Sequence, residues 1–370
     1  TLANFYKNCD QWGIEVSPSE PPKTNGPFAI KVWNGNNWVR ILCRSLENHQ
    51  SLAGMEVGWW WADEVYQTKK EAIDQLNSRL RDKRMHNQGL MTTTLDDPST
   101  WMYEMFVENF KPELMLVHYA TTYDNEKNLP EGYIEGLKET YSEQLFKRMC
   151  LSMWVTLQGM AIYHAFDRSL NVSNKVEYNE SLPILWSHDF NIGLGKPASS
   201  CLAQIVKSED KDGKVRPEIH IFDEIILETS DTNDVIVEFQ NRYETNNVVI
   251  YGDASGRHND TRSKTTDYLL LEKAGYKKQK VPLANPPIRA RHNSVNAMLK
   301  NANGDVRLFI HPRCKTTIKG LEVVKLKTGA GYVEEEIYSQ HVTTAIGYLV
   351  HKEFPVDFGR KKLRTSRLAG

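Results

Sequence analysis

Two apolar runs that each end in an aspartate constrain this chain more than any other feature. They are Ile184-Leu185-Trp186-Ser187-His188-Asp189 and Val248-Val249-Ile250-Tyr251-Gly252-Asp253. Their composition suits strands, and their neighbours set the order of elements. Strands are predicted over Ile184–Phe190, Ser200–Val206 and Glu218–Leu227. The Asp210-Lys211-Asp212-Gly213-Lys214 turn makes the latter two a hairpin. A helix near Asp231–Tyr243 leads to Val248–Asp253. Helices and strands then alternate through Tyr268–Ala274, Lys278–Pro282, Ile288–Asn301 and Val306–Ile310, before a last helix near Ser339–His351. An antiparallel meander followed by alternating α and β predicts a mixed sheet flanked by helices. That strand order is the one found in ribonuclease H-like folds.

Asp189 and Asp253 therefore fall at strand tips, where acids can converge on hard cations. The layout suits a two-metal nuclease, in which paired cations activate water and steady the leaving oxygen of a phosphodiester. Each aspartate alone also reads as an ordinary turn former. Glu224, near the end of the third strand, either joins them or is a solvated carboxylate beside Asp223. His341 and Thr344 lie three apart and share a helix face. His341 offers a nitrogen, which suits Mn²⁺ better than Mg²⁺. A histidine near a helix start is also often structural.

The first part of the chain mixes helices and strands. Leu2–Trp12 reads as a helix, Gly13–Pro27 as a loop, and Ala29–Trp33 with Trp38–Cys43 as a hairpin around Asn34-Gly35-Asn36-Asn37. Val57–Ala62 is an apolar run ending in Asp63-Glu64, which has the form of a Walker B motif. Asp63 would hold Mg²⁺ through water, and Glu64 would orient or deprotonate the attacking water; the same two acids read equally as a solvated strand end. A helix is predicted over Lys69–Arg81 and strands over Leu90–Thr94 and Met115–Tyr119. In the former, a hydroxyl of Thr92 or Thr93 would sense the γ-phosphate of ATP. A helix beginning at Pro130 and continuing through Glu131–Ser142 opens a connector. No G-x-x-x-x-G-K-[ST] phosphate loop occurs in the sequence, since Gly193-Leu194-Gly195-Lys196 is followed by Pro197.

At 370 residues the chain is long enough for two domains. Its net charge of −1 excludes a uniformly basic binder, so nucleic acid must meet local patches. Such patches are Arg257, Arg262 and Lys264, then Arg289, Arg291 and His292, and a tail with Arg360, Lys361, Lys362, Arg364 and Arg367. Lys264, Arg289 and Arg291 are expected to contact DNA phosphates without reading sequence. Five scattered cysteines with no CxxC pair read as reduced thiols of a cytosolic compartment. No run reaches membrane-spanning length and no signal peptide is visible.

Taken together, the residues resemble the large terminase subunit of tailed bacteriophages over nearly the whole chain. Arg44-Ser45-Leu46, Ser51-Leu52-Ala53-Gly54 and Asp63-Glu64 resemble the approach to that family's Walker B motif. Thr92-Thr93-Thr94 resembles its coupling motif. Trp154, Gly159, Tyr163 and Phe166 resemble its connector. Asp253-Ala254-Ser255-Gly256 resembles the second nuclease motif, and His341 through Tyr348 the last one, His-x-x-Asp-Ala-x-Gly-Tyr. Asn285-Pro286-Pro287, Asn293–Leu299 and Arg307–Lys315 are also similar.

The resemblance implies a partial P-loop ATPase domain of the ASCE type over residues 1–129. A connector over 130–180 and a ribonuclease H-like nuclease over 181–358 follow, with a basic tail over 359–370. It implies an ATP-driven motor that pumps double-stranded DNA into a procapsid and a nuclease that cuts concatemers, using Mg²⁺ or Mn²⁺. The portal protein and a small terminase subunit would be partners. A homo-oligomer, a pentamer, would stand on the procapsid in the host cytoplasm. The family's third nuclease aspartate falls at Thr344, and a neutral hydroxyl cannot replace a carboxylate on a hard cation. The phosphate loop would lie upstream of Thr1, so the chain is expected to begin inside the motor domain, with ATPase activity only if that loop is supplied. A non-catalytic DNA-binding or assembly protein and a free-standing resolvase-like nuclease are the competing readings.

Overall fold

The computed structural model describes residues 2–21, 27–47, 52–96, 100–155, 161–190, 196–209, 213, 215–228, 231–257, 265–327 and 332–356. The chain divides into two compact units, Thr1–Thr94 and Leu95–Gly370.

In the first unit, α1 (Leu2–Gln11) leads to β1 (Val16–Ser17), β2 (Phe28–Trp33) and β3 (Trp38–Cys43), an antiparallel sheet in the order β1-β2-β3. The β2–β3 turn closes on Asn34, whose side-chain oxygen accepts from the backbone N–H of Asn36 at 3.0 Å and Asn37 at 2.8 Å. A separate parallel pair follows. β4 (Trp59–Asp63) lies beside β5 (Gln88–Thr92) with Asp63 opposite Thr92. Between them α2 (Lys70–Asn77) buries Ala72, Ile73 and Leu76. Gly89 lets the Trp60 ring cross the pair, because a Cβ there would collide with that ring.

The second unit begins with α3 (Trp101–Tyr103), α4 (Tyr133–Thr140), α5 (Glu143–Cys150) and α6 (Arg168–Asn171). Its sheet comprises β6 (Ile184–Asp189), β7 (Ala198–Glu209), β8 (Val215–Leu227), β9 (Val248–Gly252) and β10 (Leu308–Ile310), in the order β10-β8-β7-β6-β9. β6, β7 and β8 form an antiparallel meander, while β9 runs parallel to β6 and β10 parallel to β8. The remaining helices are α7 (Thr232–Arg242), α8 (Asp267–Lys273), α9 (Ile288–Leu299), α10 (Lys315–Val323) and α11 (Gln340–Glu353).

Alternating side chains give the sheet two buried faces. Trp186, Leu202 and Phe222 pack with Val235 and Phe239 of α7 and Leu271 of α8. Leu185, Cys201 and Ile221 pack with Val295 of α9, Leu321 of α10 and Ile346 of α11. α11 is buried from His341 through Val350. A helix without a polar face belongs inside the fold. Its buried His341, Thr343 and Thr344 are therefore polar groups held where solvent does not reach. Among the described residues, no helix is long and apolar enough to cross a membrane.

The predicted meander, the helix after it and the β9 strand are all present. Other expectations need correction. Met115–Tyr119 forms no strand; it pairs with no other strand among the described residues, and Leu116 is 94% exposed. Lys278–Pro282 touches the β9 edge at a single bridge, Gln279 with Ile250. The helix expected from Pro130 starts at Tyr133, after Gly132 turns the chain with φ 72. α10 falls where no helix was expected.

α10 crosses the start of α11 at Gly320. A Cβ there would lie 2.5 Å from the Ser339 carbonyl oxygen and 2.6 Å from the Thr343 side chain. Backbone cannot yield as a flexible side chain would. Gly320→Ala is therefore expected to lower stability by about 1–3 kcal/mol, read as a lower urea midpoint with an unchanged slope.

Candidate active site

The parallel register of β6 and β9 builds the site. His188 stands opposite Gly252, so Asp189 and Asp253 occupy corresponding positions at adjacent strand tips. Both carboxylates are buried, at 2% and 4% exposure. Burial raises the pKa of Asp253 above the usual aspartate value, and the Asp189 charge raises it further. Ser255 works against this: its hydroxyl donates to Asp253 Oδ2 at 2.6 Å, and Gly256 N–H donates to Oδ1 at 3.3 Å. The turn after β9 is held by Tyr268, whose hydroxyl donates to the Asp253 carbonyl at 2.6 Å, and by Asn285, which accepts from Ala254 N–H at 2.7 Å. Gly252 and Gly256 leave room for Tyr268 and Phe190, which a Cβ at either glycine would meet within 3.1 Å.

From α11, His341 Nδ1 lies 2.9 Å from Asp189 Oδ2. Thr344 is buried one turn later, and its hydroxyl accepts from Gln340 Nε2 at 2.8 Å. The structure thus brings Asp189, Asp253 and His341 together. Among the described residues, no group of three or more His, Cys, Asp or Glu side chains is arranged to hold a metal ion. Two buried, neighbouring carboxylates still fit a hard cation, which commonly takes one or two carboxylates and fills its remaining positions with water and substrate phosphate. His188 faces the other side of the sheet, stacked on Phe190, and burial lowers its pKa to about 3, so it stays neutral.

Three expected site residues stand elsewhere. Glu224 does not join the acids. Its carboxylate accepts the backbone N–H groups of Thr316 at 2.9 Å and Thr317 at 2.8 Å, so it caps the N-terminus of α10. Arg291 is no surface cation: it is 5% exposed, and its guanidinium lies 4.5 Å from the Tyr348 ring centre. Arg289 is turned to Asp96, with Nη1 at 3.0 Å from Oδ2 and Nη2 on Oδ1. Lys264, Arg262 and the basic tail lie outside the described residues.

In the first unit, the Thr92 hydroxyl donates to Asp63 Oδ1 at 2.7 Å and accepts from Trp61 Nε1 at 2.9 Å. Thr93 Oγ1 accepts from Tyr66 N–H at 2.9 Å. Glu64 sits between these contacts with a left-handed backbone, φ 54 and ψ 46. A side chain in that region is strained. Burial raises the Glu64 pKa, with Asp63 adding to the shift. Asp63, Glu64, Thr92 and Thr93 therefore meet at the C-terminal end of the parallel pair.

Residues 15–169 match the family described as terminase large subunit, T4likevirus-type, N-terminal. The large terminase of a thermophilic bacteriophage, solved in complex with ADP, aligns with a TM-score of 0.62 at 15% identity, covering 95% of this chain and 81% of that one. A second crystal form of the same phage protein aligns at 0.63 and 14% identity, covering 95% and 82%. The family match spans less than half of the chain. At this identity the structural likeness is one of fold. No curated protein matches the chain.

Gln340 and Glu334 were not legible as part of the site. Glu334 lies in a run of three glutamates that reads as solvated surface, yet its side chain is 9% exposed and pairs with His292. Only the fold brings it inside.

Two outcomes separate these roles. Glu224→Gln leaves two helix-terminal N–H groups facing a neutral amide, so it is expected to cost about 1 kcal/mol of folding stability and to leave Mn²⁺ affinity unchanged in calorimetric titration. Asp253 is an acid with a raised folded-state pKa, so the metal-free folded state binds more protons than the unfolded state between the two values. Its contribution therefore falls as pH climbs past the ordinary aspartate value of about 4. Asp253→Asn is expected to remove that loss. With chelator present, thermal midpoints of the variant should exceed those of the parent increasingly towards neutral pH.

Proposed function

We propose that this chain is the motor and nuclease subunit of a phage DNA-packaging machine. Its second unit would be a ribonuclease H-like, two-metal endonuclease that cuts concatemeric double-stranded DNA. The observation that carries this reading is the side-by-side burial of Asp189 and Asp253 at adjacent strand tips. Mg²⁺ or Mn²⁺ bound there would activate water and neutralise charge on the leaving oxygen. Asp189 and Asp253 would hold the cations. Ser255 favours the ionised form of Asp253 by donating to it, and His341 orients Asp189. Burial of both acids excludes bulk water, which strengthens their grip on a cation.

For the first unit, the proposal assigns Asp63 to the magnesium of ATP, Glu64 to the attacking water and Thr92 and Thr93 to coupling. The contact of Thr92 with Asp63 supports the last assignment. Lys264 is proposed as a phosphate contact, and the portal protein, a small terminase subunit and further copies of the chain as partners. A non-catalytic DNA-binding role is the second reading. It is favoured by Thr344, which adds no charge beside the acids, and by Glu224, whose oxygens are committed to α10.

Supercoiled plasmid with Mn²⁺ decides between them. The parent is expected to nick and linearise it weakly, and Asp189→Asn or Asp253→Asn to reduce cutting by about a hundredfold or more. Thr344→Asp adds a third carboxylate and is expected to raise cutting and extend it to Mg²⁺. Plasmid left intact by both the parent and Thr344→Asp establishes the non-catalytic reading.

A further inference from the structure

A line of polar contacts crosses the second unit and ends at the acid centre. It begins at Asp96, two residues beyond Thr94, with 8% exposure. The Asp96 carboxylate takes Arg148 of α5 at 3.1 Å and Arg289 of α9 on both oxygens. The Arg289 guanidinium lies 5.0 Å from the Tyr332 ring centre. The Tyr332 hydroxyl is 3.0 Å from His292 Nδ1, and His292 Nε2 is 2.5 Å from Glu334 Oε1. Glu334 Oε2 accepts from the Gln340 amide, which also reaches Thr344 Oγ1 at 2.8 Å. Gln340 opens α11, and the next residue is His341, whose ring meets Asp189.

This arrangement is costly as a mere scaffold. Burying charged groups requires desolvation that apolar residues of similar volume avoid, and removing one partner strands the other. The cost falls on one place, the first turn of α11, where neighbouring helix positions carry both His341 and Thr344. The His292 and Glu334 side chains are 2% and 9% exposed, so water does not substitute for either.

We propose that Asp96 and Glu334 are positioning residues of the acid centre, acting through Arg289, Tyr332, His292 and Gln340 to set the first turn of α11. They touch neither substrate nor cation. Their effect is on where His341 holds Asp189, and hence on how well the carboxylate pair receives a divalent cation. The inference rests on the nuclease reading proposed above.

The test uses the full chain and two readouts, direct Mn²⁺ binding by electron paramagnetic resonance and plasmid cleavage against Mn²⁺ concentration. Tyr332→Phe keeps the ring beside Arg289 and removes one hydroxyl. Glu334→Gln keeps the shape and removes the charge. Each is expected to weaken Mn²⁺ binding about tenfold, with a smaller change in cleavage at saturating Mn²⁺; Tyr332→Phe should change the thermal midpoint little, whereas Glu334→Gln should lower it. Both effects should vanish in a His341→Ala background, where a merely structural role would persist. Exchanging the charges, Asp96→Arg with Arg289→Asp, should recover part of the binding that Asp96→Arg alone loses. If Glu334→Gln fails to fold, Tyr332→Phe decides alone. Unchanged Mn²⁺ binding in Tyr332→Phe, while Asp189→Asn still abolishes binding, overturns the inference and leaves the nuclease reading standing. Binding that survives Asp189→Asn overturns that reading instead.

Discussion

The parallel pairing of β6 with β9 is the constraint on which the candidate site depends. It sets His188 opposite Gly252 and so puts Asp189 beside Asp253. Neighbouring strands lie about 4.8 Å apart, which brings two like charges close in a water-poor place. Like charges so placed raise one another's pKa or call for a counter-charge. Burial is the first cause of the raised pKa of Asp253 and the Asp189 charge adds to it, while Ser255 donates to Asp253 and His341 contacts Asp189.

α11 is the second determinant. A helix buried from His341 through Val350 has little solvent against which to adjust, so its neighbours set its position. β6, α9 and α10 close around it, and Gly320 allows α10 to approach the backbone at its start. The polar residues it carries inward, His341 and Thr344, therefore stand where packing puts them. Arg291 belongs to the same packing: it lies over Tyr348 on α11 and against Gly347. Its Nε has no hydrogen-bond partner among the described residues, so the aromatic face and nearby acids are what accommodate its charge.

Several residues expected on a DNA-facing or metal-binding surface are instead structural cations and caps. Arg289 answers Asp96, and Glu224 answers the α10 terminus. The reason is general: a charge near the core must find a partner, and it takes the one within reach. For Arg289 that partner lies 193 residues away in the chain, so no local pattern could announce it. The acids Asp189, Asp253, Asp63 and Glu64 were legible because the feature that identifies them, an apolar run closed by a carboxylate, is contiguous. Thr92 was legible for the same reason, although its bond to Asp63 emerges only from strand pairing.

By itself the sequence determined the meander, the helix after it, β9, the helices α8, α9 and α11, and the acids that close β6 and β9, but not α10. Alternation of apolar residues, turn residues and helix periodicity are local properties, and they survive in any context that buries one face. The tertiary structure decided which partners each charge meets. It buried Arg291, turned the Glu334 side chain inward, committed Glu224 to a helix end and left Asp189 beside Asp253. Those outcomes depend on pairs brought together across long stretches of chain, where desolvation and partner geometry outweigh any preference of the single residue.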